Sequence, residues 1–149
     1  MAAYQTIVVG TDGSETSLRA VDRAGALAGD TQATLLIVCA YEASSTRDVA
    51  AAQDALRGEG YQVVGSAPAE DTLQNGRDRA RAAGATKIET LAEPGVATTV
   101  LRDVATRRNA DLLVVGNRGL NSISGRILGS VPLDVARRAG IDVLVVHTT

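Results

Sequence analysis

Short, unbroken runs of branched apolar residues are the feature that most limits what this chain can fold into. The clearest is Leu112-Leu113-Val114-Val115, closed by Gly116. Runs of the same kind occupy 5–11 (QTIVVGT), 33–40 (ATLLIVCA) and 142–147 (DVLVVH). A strand with one wet face alternates polar and apolar residues. A continuous apolar run between turn signals suits a strand covered on both faces, as in a parallel sheet. Lys87 to Leu91 is a weaker run and is expected nearer an edge.

Helical spacing fills the gaps between these runs. Asp12-Gly13-Ser14 is a turn and cap cluster; Asp12 and Glu15 have capping-box spacing, Ser14 is a rival cap, and the sequence does not choose between them. Leu18, Val21, Ala24 and Ala28 then repeat at helical intervals until Gly29-Asp30, where the helix is expected to end. Residues 41–68 are the least regular stretch, with a short helix possible at Asp48 to Leu56 before Gly58 and Gly60. Pro68 opens a helix near Glu70 to Ala83, stopped by Gly84. Pro94-Gly95 turns into a helix over Thr98 to Arg108, whose apolar face is Val100, Leu101, Val104 and Ala105. A last helical pattern runs from Val131 to Arg138.

Strand and helix in strict alternation predict an α/β fold: a doubly wound, five-stranded parallel sheet in the order 3-2-1-4-5 with helices on both faces. The 149 residues are expected to form one domain, 1–149. Aromatic residues are only 2% of the chain against 45% hydrophobic overall, so the core must be Val, Leu, Ile and Ala. The net charge of −2 has no block of like sign, and three scattered tyrosines make no base-stacking platform, so a nucleic-acid surface is not expected. No apolar stretch reaches membrane-spanning length, and MAAYQTIVVG lacks a basic segment followed by a signal core; a cytoplasmic protein off the membrane is expected. The single cysteine rules out an internal disulfide and a cysteine metal cluster.

In a doubly wound sheet ligands sit outside the carboxyl ends of the strands where the winding reverses, here between strands 1 and 4. That rule brings Asp12 and the segment 116–130 to one crevice. The segment has the spacing Gly116-x2-Gly119-x9-Gly129-Ser130, followed by the helical pattern from Val131. Glycines let backbone approach an anion closely, and the first N–H groups of a helix point at it. Ser130 can cap that helix or give its hydroxyl to a phosphate oxygen. The spacing is neither a Walker loop nor G-x-G-x-x-G. Read blandly, the glycines are loop turns, Asp12 is a helix cap, and Cys39 is a small core residue.

The motif resembles the G-x2-G-x9-G-[S/T] signature of the nucleotide-binding branch of the universal stress protein family, and the similarity runs from VVGTDGS to VLVV. It implies Asp12, with Gly10 and Thr11 beside it, next to the nucleoside or a nucleotide-bound magnesium. It implies backbone at Ala40 and Cys39 meeting the adenine. It implies Gly116, Asn117, Arg118, Gly119, Gly129, Ser130 and Val131 holding ribose and phosphates. Arg118 is the better cation, since a guanidinium pairs with phosphate in a bidentate manner; Arg126 is read as solvated. Two departures stand out. Pro132 occupies a position often held by a hydroxyl residue, which disfavours a grip on a triphosphate and keeps cyclic AMP beside ATP as the ligand. Gly140-Ile141-Asp142 replaces a proline-rich approach to the last strand.

A loop without lysine and without a nearby histidine offers little for phosphoryl transfer, so at most weak ATP hydrolysis is expected. His147, the one histidine, is read as a last-strand residue far from the crevice. The expected function is a regulatory or ligand-sequestering module for an adenine nucleotide. A slow ATPase and a structural stress protein acting through dimerisation are the alternatives. The apolar last strand, Asp142 to Val146, is expected to pair edge to edge in a homodimer.

Overall fold

The computed structural model describes residues 3–42, 66–117, 137 and 140–148. Five strands form one parallel sheet: β1 (Thr6–Gly10), β2 (Thr34–Tyr41), β3 (Lys87–Pro94), β4 (Leu112–Gly116) and β5 (Asp142–Val146). Their order is β3-β2-β1-β4-β5. Every neighbouring pair is parallel, with Val8 opposite Leu36 on one side and Leu113 on the other. This is the expected order, and β1 lies at its centre because the chain winds outward from it in both directions.

Three helices are described: α1 (Glu15–Thr31), α2 (Ser66–Ala83) and α3 (Ala97–Arg107). Alternation along the strands divides the core into two layers. Ile7, Val9, Leu35, Ile37, Cys39, Leu112 and Val114 face α1 and α2, where Val21, Ala24, Ala28, Leu73 and Ala80 meet them. Val8, Leu36, Val38, Leu113 and Val115 face α3 through Val100, Leu101, Val104 and Ala105. Helices therefore cover both faces, and β1, β2 and β4 are buried on each.

Several boundaries depart from the sequence expectation for physical reasons. Helix α1 does not stop at Gly29-Asp30; it runs to Thr31 and ends on Gln32, whose φ of 60° lets its N–H bond Ala28 O. Gly29 is needed for packing instead: a Cβ there would stand 2.5 Å from Gly84 O, and one at Gly25 would stand 2.9 Å from Ala80 Cα and O. The α1 and α2 backbones thus approach at two glycines one turn apart. An ion-pair network closes the same seam. Arg79 Nε donates to Asp22 Oδ1 at 2.9 Å and its Nη2 to Asp22 Oδ2 at 2.6 Å, while its Nη1 reaches Glu15 Oε2 at 3.3 Å. Those acidic partners hold the Arg79 guanidinium above its usual range, first through the Asp22 bond.

Helix α2 begins two residues before Pro68, which the first turn accommodates because its missing N–H has no helical partner there. Strand β3 extends past Leu91 to Pro94, paired residue for residue with Thr34 to Tyr41, and is an edge as expected. The last strand ends at Val146, so His147 stands just beyond it, at the carboxyl end of the sheet rather than away from that end. The short helix at 48–56 lies outside the described residues, as does the helix from Val131 to Arg138 apart from Arg137, which is helical.

The close seam makes a quantitative prediction. Gly29→Ala forces a methyl onto backbone that cannot swing aside and should cost about 1–3 kcal/mol, the usual range for overpacking. Urea unfolding should show a lower midpoint with an unchanged slope; an unchanged midpoint would contradict this packing.

Candidate functional site

Strand β1 ends at Gly10, and the next residues form a network of small polar groups. Thr11 is fully buried and donates its N–H to Val38 O at 2.9 Å, the last rung toward β2. Its hydroxyl lies 2.8 Å from Ser17 Oγ. Ser17 Oγ spends its proton on Ser14 O at 2.9 Å, so Thr11 is the donor in that pair. Thr11 Oγ1 in turn accepts from Gly13 N at 3.1 Å, and Ser17 Oγ accepts from Asp12 N at 3.3 Å. Gly13 adopts φ 87°, a conformation that favours glycine. Each bond is neutral and short-range, and together they fix the backbone around Asp12.

The cap ambiguity resolves here. Ser14 is the N-cap of α1, accepting from Ser17 N at 3.3 Å. Asp12 is not the cap; its Oδ1 accepts from Ser14 N at 2.9 Å across the turn. One carboxylate oxygen is thereby tethered, and the half-buried side chain is held at the carboxyl end of the central strand.

At the end of β2 the two expected residues divide by face. Cys39 is fully buried in the layer under α1 and α2, and its thiol is pushed up to about 12 by burial first, then by the negative charges of Asp12 and Glu70. It is a core residue whose side chain is turned away from solvent. Ala40 is different. Pairing of β2 with β1 ends at Gly10 opposite Val38, where Val38 O receives Thr11 N. Strand alternation aims Ala40's N–H and carbonyl at that same edge two residues on, beyond the last registered β1 residue. The backbone hydrogen-bonding groups of Ala40 thus border the crevice.

On the β4 side, Gly116 and Asn117 are joined to the tail of β5. Asn117 N donates to Val146 O at 2.8 Å, and Asn117 Oδ1 accepts from both Thr148 N at 2.8 Å and Thr148 Oγ1 at 2.9 Å. Asn117 and Thr148 are both buried. A Cβ on Gly116 would lie 3.4 Å from Thr148 Cγ2, an ordinary contact, so alanine fits there without strain. Arg19 of α1 donates to Thr148 O at 2.7 Å.

The structure therefore brings Gly10, Thr11 and Asp12 from β1, Cys39 and Ala40 from β2, and Gly116 and Asn117 from β4 to the carboxyl ends of three adjacent strands. Arg118, Gly119, Gly129, Ser130 and Val131 lie outside the described residues. Among the described residues no group of three or more His, Cys, Asp or Glu could hold a metal ion. Nor is any described helix long and apolar enough to cross a membrane. Sequence reasoning missed Ser17, Glu70, Arg19 and Thr148. A serine three residues after Ser14 was a local signal for the first; the other three act across long separations and left none.

Comparison with known proteins gives this geometry its family. Universal stress protein Rv1636 of Mycobacterium tuberculosis (strain ATCC 25618 / H37Rv) is 50% identical over 149 residues, spanning all of both chains. A crystal structure of a universal stress protein in complex with cAMP superposes with a TM-score of 0.77 at 47% identity, again covering all of both chains. The universal stress protein from Archaeoglobus fulgidus in complex with dAMP shares the fold, with a TM-score of 0.68 at 21% identity over 95% of this chain and 96% of that one. The sequence model of the universal stress protein family matches residues 3–147, and with these relatives it leaves a plain conclusion: this chain belongs to the universal stress protein family.

Proposed function

We propose that this chain is a single-domain cytoplasmic module that binds an adenine nucleotide, cyclic AMP in preference to ATP, in the crevice where β1 and β4 part. One observation carries the reading: the family member in complex with cAMP is 47% identical and superposes over the full length of both chains. Local chemistry supports it. Asp12 and Glu70 put negative charge at the β1 and β2 side, close enough to be felt by Cys39. That side suits the hydroxyls of a ribose and the neutral base, with Ala40's backbone groups paired to the adenine edge. The phosphate is then repelled toward β4, where Gly116, Asn117, Arg118, Gly119, Gly129, Ser130 and Val131 would receive it. Pro132, with neither hydroxyl nor N–H, favours one phosphate over three. Binding rather than turnover follows from a loop that has Arg118 but no lysine. With ATP as ligand, Asp12 would be the contact for magnesium, and slow hydrolysis would be the chemistry to assay.

Titration calorimetry of nucleotide-free protein with cyclic AMP, then with ATP and magnesium, tests this directly. Tighter binding of cyclic AMP is expected, and Gly129→Glu should abolish it at an unchanged melting temperature. Heat from neither ligand would overturn the reading.

The proposal extends to a homodimer through β5. The two sheet edges differ in kind. Edge strand β3 carries Glu89 and Glu93, paired with Arg108 at 2.6 Å and Arg107 at 2.5 Å, and such charges discourage strand addition. Strand β5 offers Val143, Leu144 and Val145, each half-buried and uncharged. Equilibrium sedimentation should show a dimer at micromolar concentration, and Leu144→Lys should give monomer. A monomeric wild type would contradict the edge assignment.

A further inference from the structure

Thr11, Ser17, Asn117 and Thr148 are buried polar residues, and the side chain of each is hydrogen-bonded. Thr72 of α2 is buried to a similar degree, at 5% exposed, yet its hydroxyl has no hydrogen-bond partner among the described residues. A helical threonine can turn back on its own helix: Thr31 donates to Leu27 O at 2.8 Å and Thr106 to Arg102 O at 3.0 Å. Thr72 makes no such bond. A buried hydroxyl without a partner is costly, and beside a ligand site it points to a partner that the chain does not supply.

The stripe of α2 to which Thr72 belongs fixes what it faces. Thr72, Gly76, Arg79 and Ala80 fall at i, i+4, i+7 and i+8, along one side of a helix. A Cβ on Gly76 would stand 3.3 Å from Ile37 Cγ2 and 3.8 Å from Thr11 Cγ2; Arg79 bonds Asp22 and Glu15 of α1; Gly25 of α1 packs on Ala80. The stripe therefore looks onto the end of β1 and onto α1. Thr72 is its member nearest the carboxyl ends of the strands, roughly one helical turn, 5.4 Å, beyond Gly76 and so beyond the level of Thr11. Glu70, in the same turn of α2, is close enough to Cys39 for its charge to be felt there. Across from Thr72 lies the Asp12 turn, where Asp12 Oδ1 accepts from Ser14 N and Oδ2 has no partner among the described residues.

We infer that Thr72 is a further ligand-binding residue, which together with Asp12 holds the ribose 2′-hydroxyl of the bound nucleotide. The inference rests on the nucleotide reading above. A hydroxyl both gives and accepts a hydrogen bond. The ribose hydroxyl donates to Asp12 Oδ2, and Thr72 donates to the ribose oxygen, so each group gains the partner it lacks. In cyclic AMP the 2′-hydroxyl is the free hydroxyl of the sugar, and this pair therefore reads ribose against deoxyribose.

Thr72→Val keeps the shape of the side chain and removes its hydroxyl; Thr72→Ser keeps the hydroxyl and removes the methyl. Calorimetry with cyclic AMP and with 2′-deoxy cyclic AMP separates a contact to the sugar from a loss of packing. Wild type should prefer cyclic AMP. Thr72→Val should bind cyclic AMP about tenfold more weakly, the scale of one buried hydrogen bond, and 2′-deoxy cyclic AMP within about twofold of wild type. Thr72→Ser should keep the preference for ribose. Without nucleotide, Thr72→Val should melt at or above the wild-type temperature, because it removes a buried hydroxyl that has no partner in the chain. If wild type binds cyclic AMP and Thr72→Val binds it equally well, or loses both nucleotides in equal measure, the contact is refuted while the nucleotide reading stands. A lower melting temperature for Thr72→Val would show that the chain itself uses the hydroxyl, and would also refute it. If wild type binds neither cyclic AMP nor ATP, the nucleotide reading falls and takes this inference with it.

Discussion

Everything at the candidate site depends on β1 being hydrogen-bonded on both sides and then stopping. As the central strand of a parallel sheet it pairs with β2 through Gly10 opposite Val38 and with β4 through Val9 opposite Val114. At Thr11 the chain must leave the plane of the sheet to enter α1. Its two neighbours run on, so a gap opens between them that has backbone on each wall. Such a gap would be costly if left ragged, since buried peptide groups need partners. The hydroxyls of Thr11 and Ser17 supply those partners from within the turn, and the half-buried Asp12 carboxylate accepts from Ser14 N beside them.

Charge then separates the crevice into two halves. Carboxylates of Asp12 and Glu70 lie toward β1 and β2, and their field is registered by the buried Cys39 thiol, whose ionisation burial already opposes. On the β4 side, Asn117 and Thr148 are neutral, and Arg19, which donates to the Thr148 carbonyl, lies 4.0 Å from Glu15. The orientation proposed above, base toward β2 and phosphate toward β4, keeps the phosphate away from the carboxylates of Asp12 and Glu70.

The fold was legible in the sequence because local signals and the sheet agreed. Four apolar runs, two of them closed by Gly116 and by Asp12-Gly13, alternate with helical patterns and so carry strand type and winding without reference to any contact. What was not legible arose from contacts between distant residues. Gly29 reads locally as a helix end, yet it lies inside the last turn of α1, where Gly84 O leaves no room for a Cβ. Whether Asp12 or Ser14 capped α1 turned on where the first helical turn begins: Ser14 Oγ accepts from Ser17 N, while Asp12 Oδ1 accepts from Ser14 N in the turn before it. Cys39 and Ala40 look alike as a strand end, and only the pleat separates a core thiol from a crevice-lining backbone. Thr148 gave no signal, because its buried hydrogen bonds go to Asn117, 31 positions away.

A crystal structure of the chain with cyclic AMP bound tests the central claim most directly. The account predicts adenine within hydrogen-bonding distance of the Ala40 backbone, the ribose at Asp12, and the phosphate beyond Gly116 and Asn117. Cyclic AMP bound elsewhere, or bound in this crevice with its phosphate toward Asp12 and its base toward β4, would contradict it.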